Sequence, residues 1–149
     1  GDLDAGINYW NYVARLEGQG FKRILSIEDI LPILGINGDL PLIGYVFKED
    51  LLLEDYDLVK RFLDATNEAR RILEESDKEW NRIMSLTGAE DTEMLVAIRN
   101  GFRKGIPKSN REILNNNIIK AYDILKDIGG KNLVGQGKHL AKGTIWNAN

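Results

Sequence analysis

From Asp55 onward the apolar residues recur at helical spacing, and this change of period constrains the fold more than any other feature of the chain. Leu58, Val59, Phe62, Ala65, Thr66, Ala69, Ile72 and Leu73 share one helical face, while Lys60, Arg61, Asp64, Glu68 and Arg71 fall mostly elsewhere. The pattern predicts a helix over 57–75 with Phe62 buried in mid-stripe. Ser76 with Glu79 forms a capping-box pattern and starts a second helix over 77–87. That helix carries Trp80, Ile83, Met84 and Leu86 inward and stops at Gly88. Asp91 can cap a third helix over 91–104, with Met94, Leu95, Ile98 and Phe102 inward and Gly105 and Pro107 beyond its end. Ser109 with Glu112 repeats the capping-box pattern and opens a fourth helix over 110–128. Its apolar residues are Ile113, Leu114, Ile118, Ala121, Tyr122, Leu125 and Ile128. Asn115, Asn116 and Asn117 weaken its middle, because Asn is a poor helix former.

The first 54 residues read differently. The opening stretch to Ile27 has the order strand, sharp junction, helix, glycine turn, strand. Strands are predicted near 4–9, 22–27 and 41–47, and a helix over 10–19. Pro32 limits Glu28 to Leu34 to a turn or two of helix, and Asn37-Gly38-Asp39 is a turn signal. Leu42 to Phe47 reads as a buried strand. The fold class is therefore expected to be α/β and helix-dominated, divided into 1–27, 28–54 and 55–149. Two or three strands cannot form a self-sufficient sheet under so many helices. Either the remaining strands lie in a segment outside this sequence, in which case the strands present are expected to pair through their open edges, or the fold is a helical layer with a small ribbon.

The chain has 149 residues, 43% hydrophobic and 29% charged, which is globular composition for one domain. A net charge of −3 argues against a nucleic-acid surface, which needs a basic face. The lack of cysteine excludes disulfides and thiolate metal sites. His139, the one histidine, stands in a Lys- and Gly-rich tail and reads as solvent-exposed. No spacing of His, Asp or Glu suggests a metal site, and no catalytic constellation or cofactor signature stands out. Gly129-Gly130 with Gly135 and Gly137 lacks the Lys-Ser/Thr of a phosphate loop and reads as turns. Asp2 and Asp4 read as strand-edge or turn residues, and Trp80 and Trp146 as core or lid contacts.

The candidate binding site is the junction Asn8, Tyr9, Trp10, Asn11 and Tyr12. It combines three aromatic rings with two amides where a helix begins. Ligands of open α/β sheets bind beyond strand ends, and helix N-termini favour anions. The competing reading places one or two of these rings in the core.

Gly1-Asp2-Leu3-Asp4-Ala5, the aromatic junction, the following helix and Gly20-Phe21 resemble the late part of nitrate/sulfonate/taurine-type substrate-binding proteins of ABC importers. Pro41 to Phe47 stands where that family has a strand, and the run Asp57 to Ala65 with Ala69 resembles its following long helix. Sulfonate-type members often have Trp-Asp-Pro at the junction, where this chain has Tyr9-Trp10-Asn11. The resemblance implies the C-terminal portion of a two-lobe, periplasmic binding protein-like fold. It implies a small polar or anionic ligand held between lobes, no catalytic residues, a membrane permease as partner and an extracytoplasmic, membrane-associated location. Self-association through strand or helix faces is a further expectation. Two alternatives are carried: a synthase-like protein of pyrimidine-precursor (thiamine) biosynthesis, which needs a His and a Lys in its cleft, and a helical protein-interaction module, which an exposed apolar helix face would favour.

Overall fold

The computed structural model describes residues 3–146. Gly1 and Asp2 of the opening motif lie outside the described residues. In chain order the helices are α1 (Trp10–Gly18), α2 (Ile27–Ile30), α3 (Glu49–Glu54), α4 (Tyr56–Glu75), α5 (Asp77–Arg82), α6 (Met84–Thr87), α7 (Thr92–Lys104) and α8 (Arg111–Val134). Among the described residues there is no strand, so the α/β expectation and its two-lobe frame are corrected to an all-helical fold. The segments read as strands, 4–9, 22–27 and 41–47, form no β-ladder, and only the last residue of the second is helical. Their β-favouring residues are mostly exposed: Ile7, Ile24, Ile43 and Val46 all lie on the surface. A strand exists only through a partner's ladder, and propensity alone does not supply one.

The chain divides into two compact units. The first comprises Gly1–Ile24 and Tyr45–Ile106. Its centre is the crossing of α1 and α7, with Ala14, Trp80, Met94, Leu95 and Ile98 buried together. Leu73, Ile83, Met84, Ala89 and Phe102 pack around them. The two helices meet closely because glycine stands at the contact. A Cβ on Gly18 would come within 2.8 Å of the Met94 Cα, and one on Gly101 within 3.3 Å of the Trp10 ring. Trp80 meets Phe102 edge to face at 5.3 Å, and its indole N–H donates to the Leu73 carbonyl at 2.7 Å. A buried tryptophan is thereby left with no unmade hydrogen bond.

The caps read from the sequence at Ser76 and Asp91 are present in this unit, and Asp55 supplies a further one that the sequence reading did not name. Asp55, Ser76 and Asp91 accept from the amides of Leu58, Glu79 and Met94 at 2.9, 3.3 and 2.7 Å. Two expectations are corrected, and one helix was not foreseen. The helix over 77–87 is broken at Ile83 (φ −98°, ψ 9°) into α5 and α6, and Leu86 is exposed. Helix α3, which the apolar period did not signal, occupies Glu49–Glu54. Helix α4 turns Val59 inward, with Leu63, Thr66 and Leu73 half-buried, and leaves Phe62 46% exposed. The apolar arc of this helix is wider than the face its unit covers, so period alone does not select the buried part.

The second unit comprises Leu25–Gly44 and Pro107–Asn149. Here α2 carries a capping box between Ser26 and Asp29, with the Ser26 amide donating to the Asp29 carboxylate at 2.8 Å. Leu31 and Ile36 are buried beside a buried polar residue, Asn117. Asn117 lies in the triplet read as a weak point of α8, and its amide donates to the carbonyls of Asn37 and Asp39 at 2.8 and 2.9 Å. The Asp39 carboxylate accepts from the backbone amides of Lys108 and Ser109 at 2.7 and 2.6 Å. The Asp39 amide in turn donates to the Ser109 hydroxyl at 3.1 Å. Because that hydroxyl is engaged with Asp39, the cap of α8 passes to Asn110, which accepts from Ile113 at 3.0 Å. The helix then runs past its expected end to Val134, with a kink at Gly130 (φ 56°, ψ −153°).

Candidate functional site

Helix α1 begins at Trp10, as the junction reading requires, and Tyr9 is its N-cap. A tyrosine has no short side-chain acceptor with which to bond the first-turn amides, and no side-chain cap is present. The Tyr9 carbonyl accepts from Tyr12 and Val13 at 3.0 Å each. The amides of Trp10 and Asn11 belong to the orphan donors that every helix start presents. No acidic residue lies in the first turn to offset the positive end of the helix dipole.

The five candidate residues are distributed unevenly around this turn. Tyr9 is 78% exposed and Asn8 is exposed, while Asn11 is half-buried. Trp10 is partly exposed but rests one ring edge over Gly101 of α7, so it positions the helix as well as bordering the surface. Tyr12 is half-exposed and carries the Arg15 guanidinium 5.5 Å from its ring centroid. Arg15 is the residue that the sequence reading did not single out. It also donates to the Thr87 carbonyl at 2.7 Å, while its Nε is buried with no hydrogen-bond partner among the described residues. Its seat requires Gly88, whose φ is +70° and whose Cβ, if present, would meet the guanidinium at 2.7 Å. The signal available in the sequence was its spacing, three residues after Tyr12 on the same helical face. The first turn thus presents unbonded amides and exposed rings, a set suited to an anionic or polar group and holding no nucleophile paired with a base, while Arg15 stands in the last turn with its guanidinium engaged at Thr87.

An open groove of about 590 Å³ lies elsewhere in the same unit, at the α4–α5 elbow. Ala69, Ile72 and Ile83 line it with Glu75, Glu79 and Arg82. Its charged groups are committed locally: Glu79 pairs with Arg82 at 2.6 Å and Glu75 with Arg71 at 3.1 Å. Among the described residues no group of three acidic or histidine side chains could hold a metal ion. His139 is exposed. No helix among the described residues is long and apolar enough to cross a membrane.

Comparison with known proteins adds no family: no family matches the chain, and no curated protein shows significant similarity to it.

Proposed function

We propose that this chain serves as a solute-binding component of an importer, taking a small polar or anionic solute at the start of α1 and handing it to a membrane permease. The observation that carries the reading is the uncapped first turn of α1, with Tyr9 and Asn8 exposed beside it and no acidic residue within it. The residue-level resemblance of the opening motif and its aromatic junction to importer binding proteins supports the same reading. The two-lobe sheet of those proteins is not part of the proposal. Binding here rests on the first turn itself, where backbone amides meet a negative group and the Tyr9 ring covers it from one side.

Tyr9 is the residue on which to test this, because its side chain is exposed and its loss leaves the core intact. Titration calorimetry with sulfate, nitrate and taurine as probes should show binding of at least one. Tyr9→Ala should weaken that binding about tenfold while the melting temperature stays within about 1 °C, as for other surface changes. No binding of any probe below about 1 mM, or equal affinity in the wild type and in Tyr9→Ala, would sink the reading.

A further inference from the structure

The exposed side of α4 carries an apolar seam with a definite register. Leu58, Phe62, Ala65, Ala69 and Ile72 are spaced four, three, four and three residues apart, the spacing of a coiled-coil seam. Leu58 and Phe62 remain 45% and 46% exposed and Ile72 38%, and both alanines are exposed. Tyr45 touches Phe62 edge to face at 4.9 Å but leaves the seam open. From Leu58 to Ile72 the seam runs about 21 Å along the 20-residue helix.

We propose that α4 is a homodimerisation helix and that the occupant of the seam is α4 of a second copy, running antiparallel. Two properties of the residues select this occupant. The first is size. In an antiparallel pair centred between Ala65 and Phe62, Leu58 faces Ala69 of the second copy and Phe62 faces Ala65, so the four central layers each join a large side chain to a small one, while Ile72 lies at the end of the seam opposite Asp55. A parallel pair would set Phe62 against Phe62 and each alanine against itself, crowding one layer and emptying the next two. The second is charge. Arg61 and Glu68 flank the seam at positions seven residues apart, and the same antiparallel register sets Arg61 diagonally across from Glu68 of the second copy, two residues from the facing position, twice by symmetry. The parallel register gives neither pair. Glu68 already accepts from Arg71 at 2.7 Å, which holds its carboxylate along the helix flank. This inference is independent of the solute-binding reading.

Analytical ultracentrifugation of the 149-residue chain tests it. A reversible dimer is expected. Ala65→Glu, at an exposed position that does not support the fold, should leave the circular dichroism unchanged and give a monomer. Arg61→Glu and Glu68→Arg should each weaken the dimer about tenfold by removing two exposed pairs. The double variant Arg61→Glu/Glu68→Arg should restore it, because the antiparallel pairs re-form with reversed polarity. A wild-type chain that stays monomeric up to about 200 µM, far above micromolar affinity, overturns the proposal. So does a dimer indifferent to Ala65→Glu, or a double swap no better than the single ones.

Discussion

The two units hold themselves together by different means. The first is built on an apolar cluster in which Trp80 is the largest member, and its polar contacts serve to satisfy the groups that the cluster buries. The second has a thinner apolar centre, Leu31 and Ile36, and is clasped by Asp39, Ser109 and Asn117, whose bonds join positions about 70 to 80 residues apart. Hydrophobic burial is non-directional and indifferent to pH, whereas a clasp of amides and a carboxylate is directional and titrates. The contrast teaches that one short chain can carry two kinds of cohesion, with different failure modes.

The largest expected effect lies in the first unit. Trp80→Ala removes a ring 4% exposed and should cost about 3–5 kcal/mol. Urea denaturation followed through hydrogen exchange of α1 and α7 amides would measure it. A cost under about 1 kcal/mol would mean that the cluster is not what holds α1 to α7. A smaller effect is expected in the second unit. Asn117→Ala strips two backbone carbonyls of their donor and should cost about 1–3 kcal/mol, read on the amides of residues 35–39 and the first turns of α8. Equal exchange rates in variant and wild type would break the comparison by showing the clasp to be incidental.

The smallest effect is also the most selective. The Ser109 hydroxyl, the Ser109 and Lys108 amides and, least of these, the Lys108 charge hold the Asp39 carboxyl below its ordinary value of 3.8, against an opposing effect of burial. A depressed folded value means that the charged carboxylate is the form the fold prefers. Its contribution is therefore complete above the ordinary value and is lost as pH falls through the lower, folded one. Between pH 5 and pH 2 the Lys108 and Ser109 amides should lose protection, after correction for intrinsic exchange. Asp39→Asn should remove that pH dependence. A loss of protection on acidification that is the same in Asp39→Asn as in the wild type would show that the carboxylate charge is not what closes the clasp.

The same division decided what could be read from the sequence. The first unit's core was legible because Met94, Leu95 and Ile98 follow helical period and Ser76 and Asp91 announce helix starts by local chemistry. The clasp was not, because nothing local tells the Ser109 hydroxyl to meet the Asp39 amide rather than cap its own helix. Period also failed where its question has two answers. Val59 and Phe62 belong to one broad apolar arc, and only the neighbouring helices decide that Val59 is the covered one. The strand reading failed for a related reason: 4–9 and 41–47 have strand-like residues, but pairing is a property of two segments and is not written in one. At the candidate site the helix start and its aromatic–amide grouping were visible, while Arg15 was hidden because its seat depends on Gly88, more than 70 residues away.

Gly18 gives the α1–α7 crossing a one-sided vulnerability. Most core positions are damaged by subtraction, since a lost side chain leaves a hole that neighbours partly fill. At Gly18 nothing can be subtracted, and the nearest atom to any added carbon is the Met94 Cα, which cannot swing aside as a side-chain tip can. Even the smallest addition acts as a wedge, prying two helices apart along their length and loosening Ala14 and Met94 together. Sequence drift at this position therefore has no gentle direction: the contact is kept whole or levered open.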